Sequence, residues 1–387
     1  QMTEKRAEIQ SPEQFIENHV SELKPLEIKA AIAYWDAART GKSEDFERYS
    51  DLQLQIRELH SDQKAFAYLK QQRKYSDILD PVTARQIDRL YYIYLGNQID
   101  KDLLQDTVRL SSQIEERFST FRGKVHGKEV TVNDITEMLK TVTDNDVRKQ
   151  AWMASKQVGP VIADDIIKLV KLRNKAARGV GFDNYHTMKL KLGEQDVAEL
   201  DKLFAQLDEL TAEPFKDLKA QLDAKLADMY NIEVSQIRPW HYHDPFFQEA
   251  PMVTSIDLDP YYKGKDIMEL SRKFFNGIGL NVDTILAKSD LFERKGKNPH
   301  AFCTDIDKSG DVRILCNIKD TEYWMTVQLH ELGHAVYSKY NDRKVPYLLR
   351  HPAHPYTTEA IAMLFGRLSK NPLWMQEMLG LTVEQRK

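Results

Sequence analysis

His330, Glu331 and His334, in the stretch TEYWMTVQLHELGHAVYSKY, combine residue types that could bind a metal ion. Histidines four residues apart project from the same face of a helix, so one tetrahedral ion can take both imidazoles. The intervening glutamate lies beside the first histidine and could deprotonate a metal-bound water without being a ligand. The alternative is a core or solvated helix that carries these residues by chance. Because burying three such groups is costly without a cation to pair with them, the pattern favours metal chemistry.

The segment that carries these residues is predicted to be a buried helix. Asp320 or Thr321 can cap its start, and Glu322 is an acid in the first turn, where the helix dipole favours a negative charge. Most of the remaining positions are apolar, namely Trp324, Val327, Leu329, Leu332, Ala335 and Val336. Such a segment needs covering on several sides, so the site should lie inside the protein.

A catalytic zinc needs a third protein ligand and one open coordination position. The extended motif in which a third histidine follows would require glycine at 337 and histidine at 340. Tyr337 and Tyr340 occupy those positions, so this class is excluded. The third ligand must come from another part of the chain.

Glu359 is the favoured third ligand, in a second apolar helix 25 residues beyond His334. Thr357 is predicted to cap that helix, which would place Glu359 in its first turn. A carboxylate at the start of a buried helix needs a cation or hydrogen-bond donors. His351 and His354, in a Pro-rich turn, are the rival ligands, and the alternative for them is a pair of loop histidines near the substrate.

Composition limits the class of protein. The chain has 387 residues, 42% hydrophobic and 29% charged, with a net charge of −4, which is typical of a soluble globular protein and gives no indication of nucleic-acid binding. No apolar run approaches the ~18 residues of a membrane span. The chain opens with QMTEKRAEIQ, which is polar and lacks a start methionine, so a trimmed product is expected. A periplasmic or secreted location is favoured, and the sequence leaves a cytoplasmic one open.

Residues 11–230 are predicted to be almost entirely helical. Ser11, Pro12 and Gln14 form a helix start, and two long apolar stripes keep helical spacing: Leu103, Leu110, Ile114, Phe118 and Phe121, then Leu200, Leu203, Phe204, Leu207 and Leu210. The stretch RPWHYHDPFFQEAPMV is too irregular for a helix. A loop packed on the core is favoured over a substrate wall there, with Trp240, His241 and Tyr242 as pocket candidates.

The stretch NPHAFCTDIDKSGDVRILCN predicts a β-hairpin with a two-residue turn at Ser309 and Gly310. That register places Cys303 directly opposite Cys316, which could form a disulfide or remain a buried thiol pair. A strand next to a metal helix can pair its free edge with an extended peptide. His300, at the head of the strand, could donate to the substrate carbonyl; the alternative is a simple strand-end histidine.

Three segments together resemble the angiotensin-converting-enzyme family of zinc peptidases: His300-Ala301, then the HELGH helix, then Glu359-Ala360-Ile361. The segments AYWDAARTGK, LYYIYLGNQID and GFDNYHTMKL resemble the helical body of bacterial members, so the resemblance covers essentially the whole chain. The thimet-type oligopeptidases are a close second. The resemblance implies a mainly α fold, a large helical ellipsoid with a deep central cleft and a small antiparallel β-hairpin beside the zinc helix.

The resemblance also implies site roles and an organisation of the chain. One zinc ion would be bound by His330, His334 and Glu359. Glu331 would be the general base and then the acid, while His300 and Ala301 would bind the substrate backbone. Residues 1–238 would form a helical body or lid, and 239–387 the substrate loop, hairpin and zinc-binding helices of a single peptidase unit with two subdomains. Short peptides are the implied substrates, and peptidyl-dipeptidase activity is the implied reaction; an endo-oligopeptidase and a non-catalytic zinc- or peptide-binding protein are the alternatives.

Two departures from the family pattern bear on specificity. Met363 stands where the converting enzymes have an acid that buttresses a zinc histidine, and the glutamine that holds the peptide carboxylate has no clear match, although Tyr242 could lie nearby. The chain also ends at Lys387, 28 residues beyond Glu359, before the family's oxyanion and carboxylate-binding residues. We therefore expect a longer enzyme of which this is the larger part, with its own C-terminal fragment as a partner.

Overall fold

The computed structural model describes residues 10–247, Pro251 and residues 256–386. It is 70% helical, with two small antiparallel two-stranded sheets, which confirms the mainly α prediction. The polar opening segment, part of the irregular stretch after Pro239 and Lys387 lie outside the described residues. None of the helices in the described ranges has an apolar stretch long enough to cross a membrane.

Residues 10–230 form ten α-helices and one hairpin. The helices are α1 (Pro12–Thr40), α2 (Ser43–Leu59), α3 (Gln63–Gln72), α4 (Pro81–Leu95), α5 (Lys101–Thr120), α6 (Val132–Thr141), α7 (Asn145–Lys156), α8 (Val158–Gly179), α9 (Tyr185–Leu192) and α10 (Val197–Tyr230). The strands are β1 (Gly123–Val125) and β2 (Lys128–Val130).

The remaining described residues form seven helices around a second hairpin. The helices are α11 (Asp259–Tyr262), α12 (Ile267–Gly277), α13 (Asp283–Lys288), α14 (Glu322–Lys339), α15 (Pro355–Gly366), α16 (Pro372–Leu379) and α17 (Val383–Arg386). The strands are β3 (Phe302–Asp305) and β4 (Val312–Leu315). The metal motif lies on α14, as predicted.

The largest apolar cluster surrounds α14, where Met325, Leu329 and Leu332 are fully buried. A smaller cluster joins Trp35 of α1 to Leu315 of β4, so the long first helix packs directly on the second hairpin. Burial of this apolar area is the main stabilising contribution at both places. The division of the chain at residues 238 and 239 remains a prediction.

The helix starts follow local chemistry. The Ser11 hydroxyl accepts a hydrogen bond from the backbone N–H of Gln14 at 3.2 Å, and Pro12 takes the first position of α1, as predicted. The helix predicted from the second apolar stripe also exists, as α10. Its stripe is not a buried face, however, because every residue from 201 to 218 is exposed.

The first hairpin was not predicted from the sequence. Gly123 pairs with Val130 and Val125 with Lys128, and the connection is the two-residue turn of His126 and Gly127. Both turn residues have positive φ, 49° and 76°, as tight hairpin turns require. Gly127 was the available sequence signal for the turn. The flanking strands are only three residues long, so they show too little of an alternating pattern to be recognised.

The predicted register of the second hairpin is wrong by two residues. The strands pair Cys303 with Ile314 and Asp305 with Val312, which places Cys316 beyond the end of β4. Both cysteines are free thiols, so the structure supports the free-thiol alternative and not the disulfide. Burial raises the pKa of both thiols well above the usual value.

The connection between β3 and β4 explains this shift. Ile306 N–H donates to the Asp311 carbonyl at 2.8 Å, leaving a four-residue loop from 307 to 310. One carboxylate oxygen of Asp307 accepts from the backbone N–H groups of Ser309 at 2.8 Å and Asp311 at 3.0 Å. An aspartate that caps its own loop stabilises this longer turn over the two-residue turn at Ser309 and Gly310.

Candidate active site

Helix α14 begins at a well-defined cap. The Thr321 hydroxyl accepts a hydrogen bond from Trp324 N–H at 3.3 Å, whereas Asp320 accepts instead from Gly264 N–H at 2.8 Å. Of the two candidates, Thr321 is therefore the residue that caps the helix. Glu322, in the first turn, accepts hydrogen bonds from the hydroxyls of Thr326 at 2.6 Å and Ser369 at 2.7 Å, which fixes the helix against the segment after α15.

Helices α14 and α15 approach each other closely at Gly333. A Cβ atom at this position would lie 2.7 Å from the Ala362 Cα and 3.3 Å from the Ile361 carbonyl oxygen. Only glycine leaves room for such a backbone-to-backbone approach. Because Glu359 lies one helical turn before Ala362, this close approach places it near the histidines of α14.

His330, His334 and Glu359 form one donor group. His330 Nε2 lies 3.4 Å from Glu359 Oε2, and His334 Nε2 lies 3.4 Å from Glu359 Oε1. The three donor atoms all lie within 4.8 Å of one another. Two imidazole nitrogens and one carboxylate oxygen are the donor set of a catalytic zinc site.

His334 is oriented for metal binding by its second nitrogen. Its Nδ1 lies 2.7 Å from the Thr358 hydroxyl oxygen, while Nε2 faces Glu359. When Nε2 binds a cation, Nδ1–H donates to this hydroxyl, which fixes the ring and its tautomer. Residues 358 and 359 therefore supply both an orienting group and a donor. The residues present fit a zinc ion.

The start of α15 differs from the prediction. The helix begins at Pro355 with His354 at the cap position, and the Thr357 hydroxyl donates to the His354 carbonyl at 2.7 Å. Glu359 is therefore the fifth residue of α15 and lies in its second turn. Proline is suited to the first helical position because it lacks an N–H and its φ is already helical.

The two rival histidines lie outside the donor group. His354 contacts the Gln195 amide nitrogen through Nδ1 at 3.2 Å and stacks on Tyr356. His351 is exposed at the surface but lies near the ion pair of Lys308 and Glu27, where desolvation by the surrounding protein, followed by the charge of Lys308, lowers its pKa to about 4. The geometry favours Glu359 over both.

Glu331 faces a cavity beside the donor group. Only 8% of its surface is exposed, and the cavity, of about 260 Å³, is also lined by His300, Ala301 and Val327. Burial, with a smaller contribution from the negative charge of Glu359, raises the pKa of Glu331 from 4.5 to about 8. A carboxyl group with a pKa near neutrality can both accept and release a proton.

A family model described as angiotensin-converting enzyme matches residues 6–387. The chain belongs to the angiotensin-converting-enzyme family. Membership makes it a metallopeptidase whose substrates are peptides. A comparison with curated proteins gave no match.

Within this family member, the head of β3 is held by buried amides. The His300 backbone N–H donates to Asn298 Oδ1 at 2.9 Å, and Asn317 Nδ2 donates to the carbonyls of Asn298 at 3.2 Å and Pro299 at 2.9 Å. The His300 ring stacks on Phe118 of α5 at 5.6 Å. Burial lowers the His300 pKa, which favours the neutral imidazole.

The irregular stretch after Pro239 contributes to the cavity through residues that sequence reasoning did not select. Asp244 and Phe246 line it. Of the predicted candidates, Trp240 packs in an apolar cluster and His241 Nδ1 accepts from the Arg238 N–H at 2.8 Å. Both fit the predicted loop packed on the core.

Tyr242, the third candidate, also lies away from the cavity lining. Its hydroxyl donates to Asp223 at 2.8 Å and accepts from Lys219 at 2.6 Å, both on α10. It therefore anchors the loop to that helix. Nothing in the sequence pattern distinguishes it from Asp244 and Phe246, because an irregular segment has no periodicity that assigns faces.

The departure from the family pattern at residue 363 has a structural counterpart. Met363 is 64% exposed on α15 and makes no contribution to the donor group. The contact that steadies His334 comes from Thr358, five residues earlier in the chain. In this chain a threonine hydroxyl on α15 therefore contacts His334.

Proposed function

We propose that the chain is a zinc-dependent peptidyl-dipeptidase that hydrolyses short peptides. The donor group of His330, His334 and Glu359, beside buried Glu331, is the observation that carries this proposal. It combines three protein ligands with a proton acceptor that is not one of them, as catalytic zinc sites do.

The donor group would hold one zinc ion, which when bound polarises a peptide carbonyl and acidifies a bound water. His334 is presented with its Nε2 towards the ion because Thr358 holds Nδ1. The carboxylate of Glu359 faces both imidazoles at 3.4 Å, so it completes the donor set from a separate helix.

Glu331 is the proposed proton carrier. Its side chain lies in the cavity, and its raised pKa means that a proton taken from the attacking water is retained long enough to pass to the leaving nitrogen. Its burial keeps bulk water from competing for that proton.

Strand β3 is the proposed substrate platform. Among the described strands it pairs with β4 alone, so its other edge can hydrogen-bond to an extended peptide. Ala301 and His300 stand at the cavity end of this strand. The backbone of Ala301 would align the peptide, and the His300 ring would donate to a substrate carbonyl.

The test measures zinc stoichiometry and cleavage of two fluorogenic peptides that differ only in a free or amidated C-terminus. One zinc with release of dipeptides from the free acid alone supports the proposal. Internal cleavage of both peptides would instead support an endo-oligopeptidase. Stoichiometric zinc with no cleavage of either peptide would overturn the peptidase assignment for this chain.

The variant Glu331→Gln tests the proposed role of Glu331 directly. We expect it to retain zinc and lose roughly 10²–10⁴-fold in kcat, since proton transfer typically contributes that much. Glu269→Gln is the control, because Glu269 is exposed on α12 and pairs only locally with Arg272. Unchanged turnover in Glu331→Gln would refute the role of this residue.

A further inference from the structure

A second cavity, of about 260 Å³, lies between helices α1, α2 and α5, and we call it the α2–α5 pocket. It is separate from the cavity that contains Glu331. Its walls carry phenols and hydroxyls together with one cation, Arg57, and one anion, Glu115. Two opposite charges in one small pocket usually form an ion pair, and these two do not.

Arg57 lacks an anionic partner. In the described part of the chain it forms no ion pair, and its one hydrogen bond, to Asn97 Oδ1, is long at 3.4 Å. Burial lowers the pKa of Arg57, and the nearby positive charge of Arg173 lowers it further. A guanidinium remains charged and carries five N–H donors, so most of its bonding capacity is unused.

Arg173 adds a second donor close to this pocket. Its Nη2 donates to the Ser111 hydroxyl, which lines the pocket, at 3.3 Å. Its buried Nε has no hydrogen-bond partner among the residues that the structure describes. Two neighbouring guanidinium groups with unused donors favour an anion, and a carboxylate matches their planar geometry.

Glu115 supplies the opposite charge at another side of the pocket. Its Oε1 accepts from the hydroxyls of Tyr34 and Ser119, both at 3.3 Å, and no described residue donates to Oε2. Tyr49, which also lines the pocket, is influenced by both charges: burial and then Glu115 raise its pKa, and Arg57 lowers it. The free oxygen is suited to an ammonium group.

Ser50 adds an independent observation, an unsatisfied hydroxyl in the wall of the pocket. It is only 6% exposed and lines the pocket, and no described residue hydrogen-bonds to its hydroxyl. A buried polar group without a partner destabilises a protein unless water or a ligand satisfies it. Water could satisfy this hydroxyl, but it would not neutralise the two unpaired charges.

We propose that the α2–α5 pocket binds a small zwitterion of one or two amino-acid residues, with its carboxylate on Arg57 and its ammonium on Glu115. The hydroxyl of Ser50 would complete the contacts. This binding needs neither the metal donor group nor Glu331, so it goes beyond the proposed peptidase function and can fail or hold independently of it.

Isothermal titration of the full zinc-loaded chain with diglycine tests the proposal. We expect saturable binding with Kd on the order of a millimolar or tighter. Acetyl-diglycine lacks the ammonium and diglycinamide lacks the carboxylate. Each should bind at least about tenfold more weakly, because each loses one charge-assisted contact. No detectable diglycine binding, or equal binding of the blocked ligands, would overturn the proposal without any variant.

Two pairs of variants locate the binding. Arg57→Gln and Glu115→Gln should each weaken diglycine binding at least about tenfold. Arg48→Gln on α2 and Glu116→Gln on α5 are matched controls, since neither side chain lines the pocket, and both should bind as the unchanged protein does. Binding that survives Arg57→Gln but disappears in Glu331→Gln would place the dipeptide at the active site and contradict the proposal.

Discussion

Gly333→Ala tests whether the close approach of α14 and α15 builds the metal site. The added Cβ would lie 2.7 Å from the Ala362 Cα, about 1 Å inside the ~3.5–4.0 Å optimum for two carbons. Because the contacted atoms belong to the backbone of α15, no side-chain rotation can relieve the overlap, so the two helices must separate. Overpacking of this kind costs about 1–3 kcal/mol, and better helix propensity returns ~1 kcal/mol, leaving a net loss of about 0–2 kcal/mol.

The same displacement acts on the donor group. Glu359 lies one turn from Ala362, so separating the helices moves its carboxylate away from both imidazoles. Loss of ligand orientation typically weakens metal binding by about 10–100-fold, and we expect Gly333→Ala to fall in that range. The measurements are chemical unfolding and zinc competition with a chelator of known affinity.

Gly159→Ala is the matched control for this variant. It also lies within a helix, α8, but no atom stands within 4 Å of the position its Cβ would take. It should leave zinc affinity unchanged and raise the free energy of unfolding by up to ~1 kcal/mol. If Gly333→Ala behaves like this control, the argument from helix approach is refuted.

Three further results are expected. Glu359→Ala should weaken zinc binding by at least about tenfold while His351→Ala leaves it unchanged, and the reverse outcome in a chelator titration would make His351 the third ligand. Thr358→Val, which keeps the side-chain shape but removes the hydroxyl, should weaken zinc binding by about 10–100-fold without a comparable loss of stability, as unfolding and metal titration together would reveal. Burial lowers the pKa of His19 to about 4 and of His60 to about 3, so only the unfolded chain binds protons there below pH ~6.5. The free energy of unfolding should therefore fall as pH drops from ~6.5 towards 4, with a shallower slope in His60→Asn, and parallel slopes would contradict this assignment.

Local chemistry was readable from the sequence where it acts within one or two helical turns. The Ser11 start, the Thr321 cap and the metal helix depend on neighbouring residues, and all appear as expected. The start of α15 was misplaced because Thr357 and Pro355 are both valid start signals, and proline prevailed. Near-equal local alternatives cannot be ranked without the tertiary contacts.

The errors concern one local competition between two turns and several contacts between distant parts of the chain. The second hairpin shifted because Asp307 caps a four-residue loop, and its carboxylate competes with a turn that the serine and glycine would otherwise favour. The stripe that contains Leu203 and Leu207 predicted the helix correctly, but periodicity alone does not state whether another element covers the face. The orienting hydroxyl of Thr358 was missed because its partner lies on another helix.

Different residues should control the metal affinity of the donor group and the rate of catalysis. Its position depends on backbone approach at Gly333 and on one hydroxyl at Thr358, neither of which faces the cavity that contains Glu331. Changes at those two positions should therefore alter how tightly zinc is held, whereas Glu331→Gln should alter turnover at full zinc occupancy. A variant of Thr358 that lost turnover at saturating zinc as severely as Glu331→Gln would show instead that ligand orientation and proton transfer are coupled.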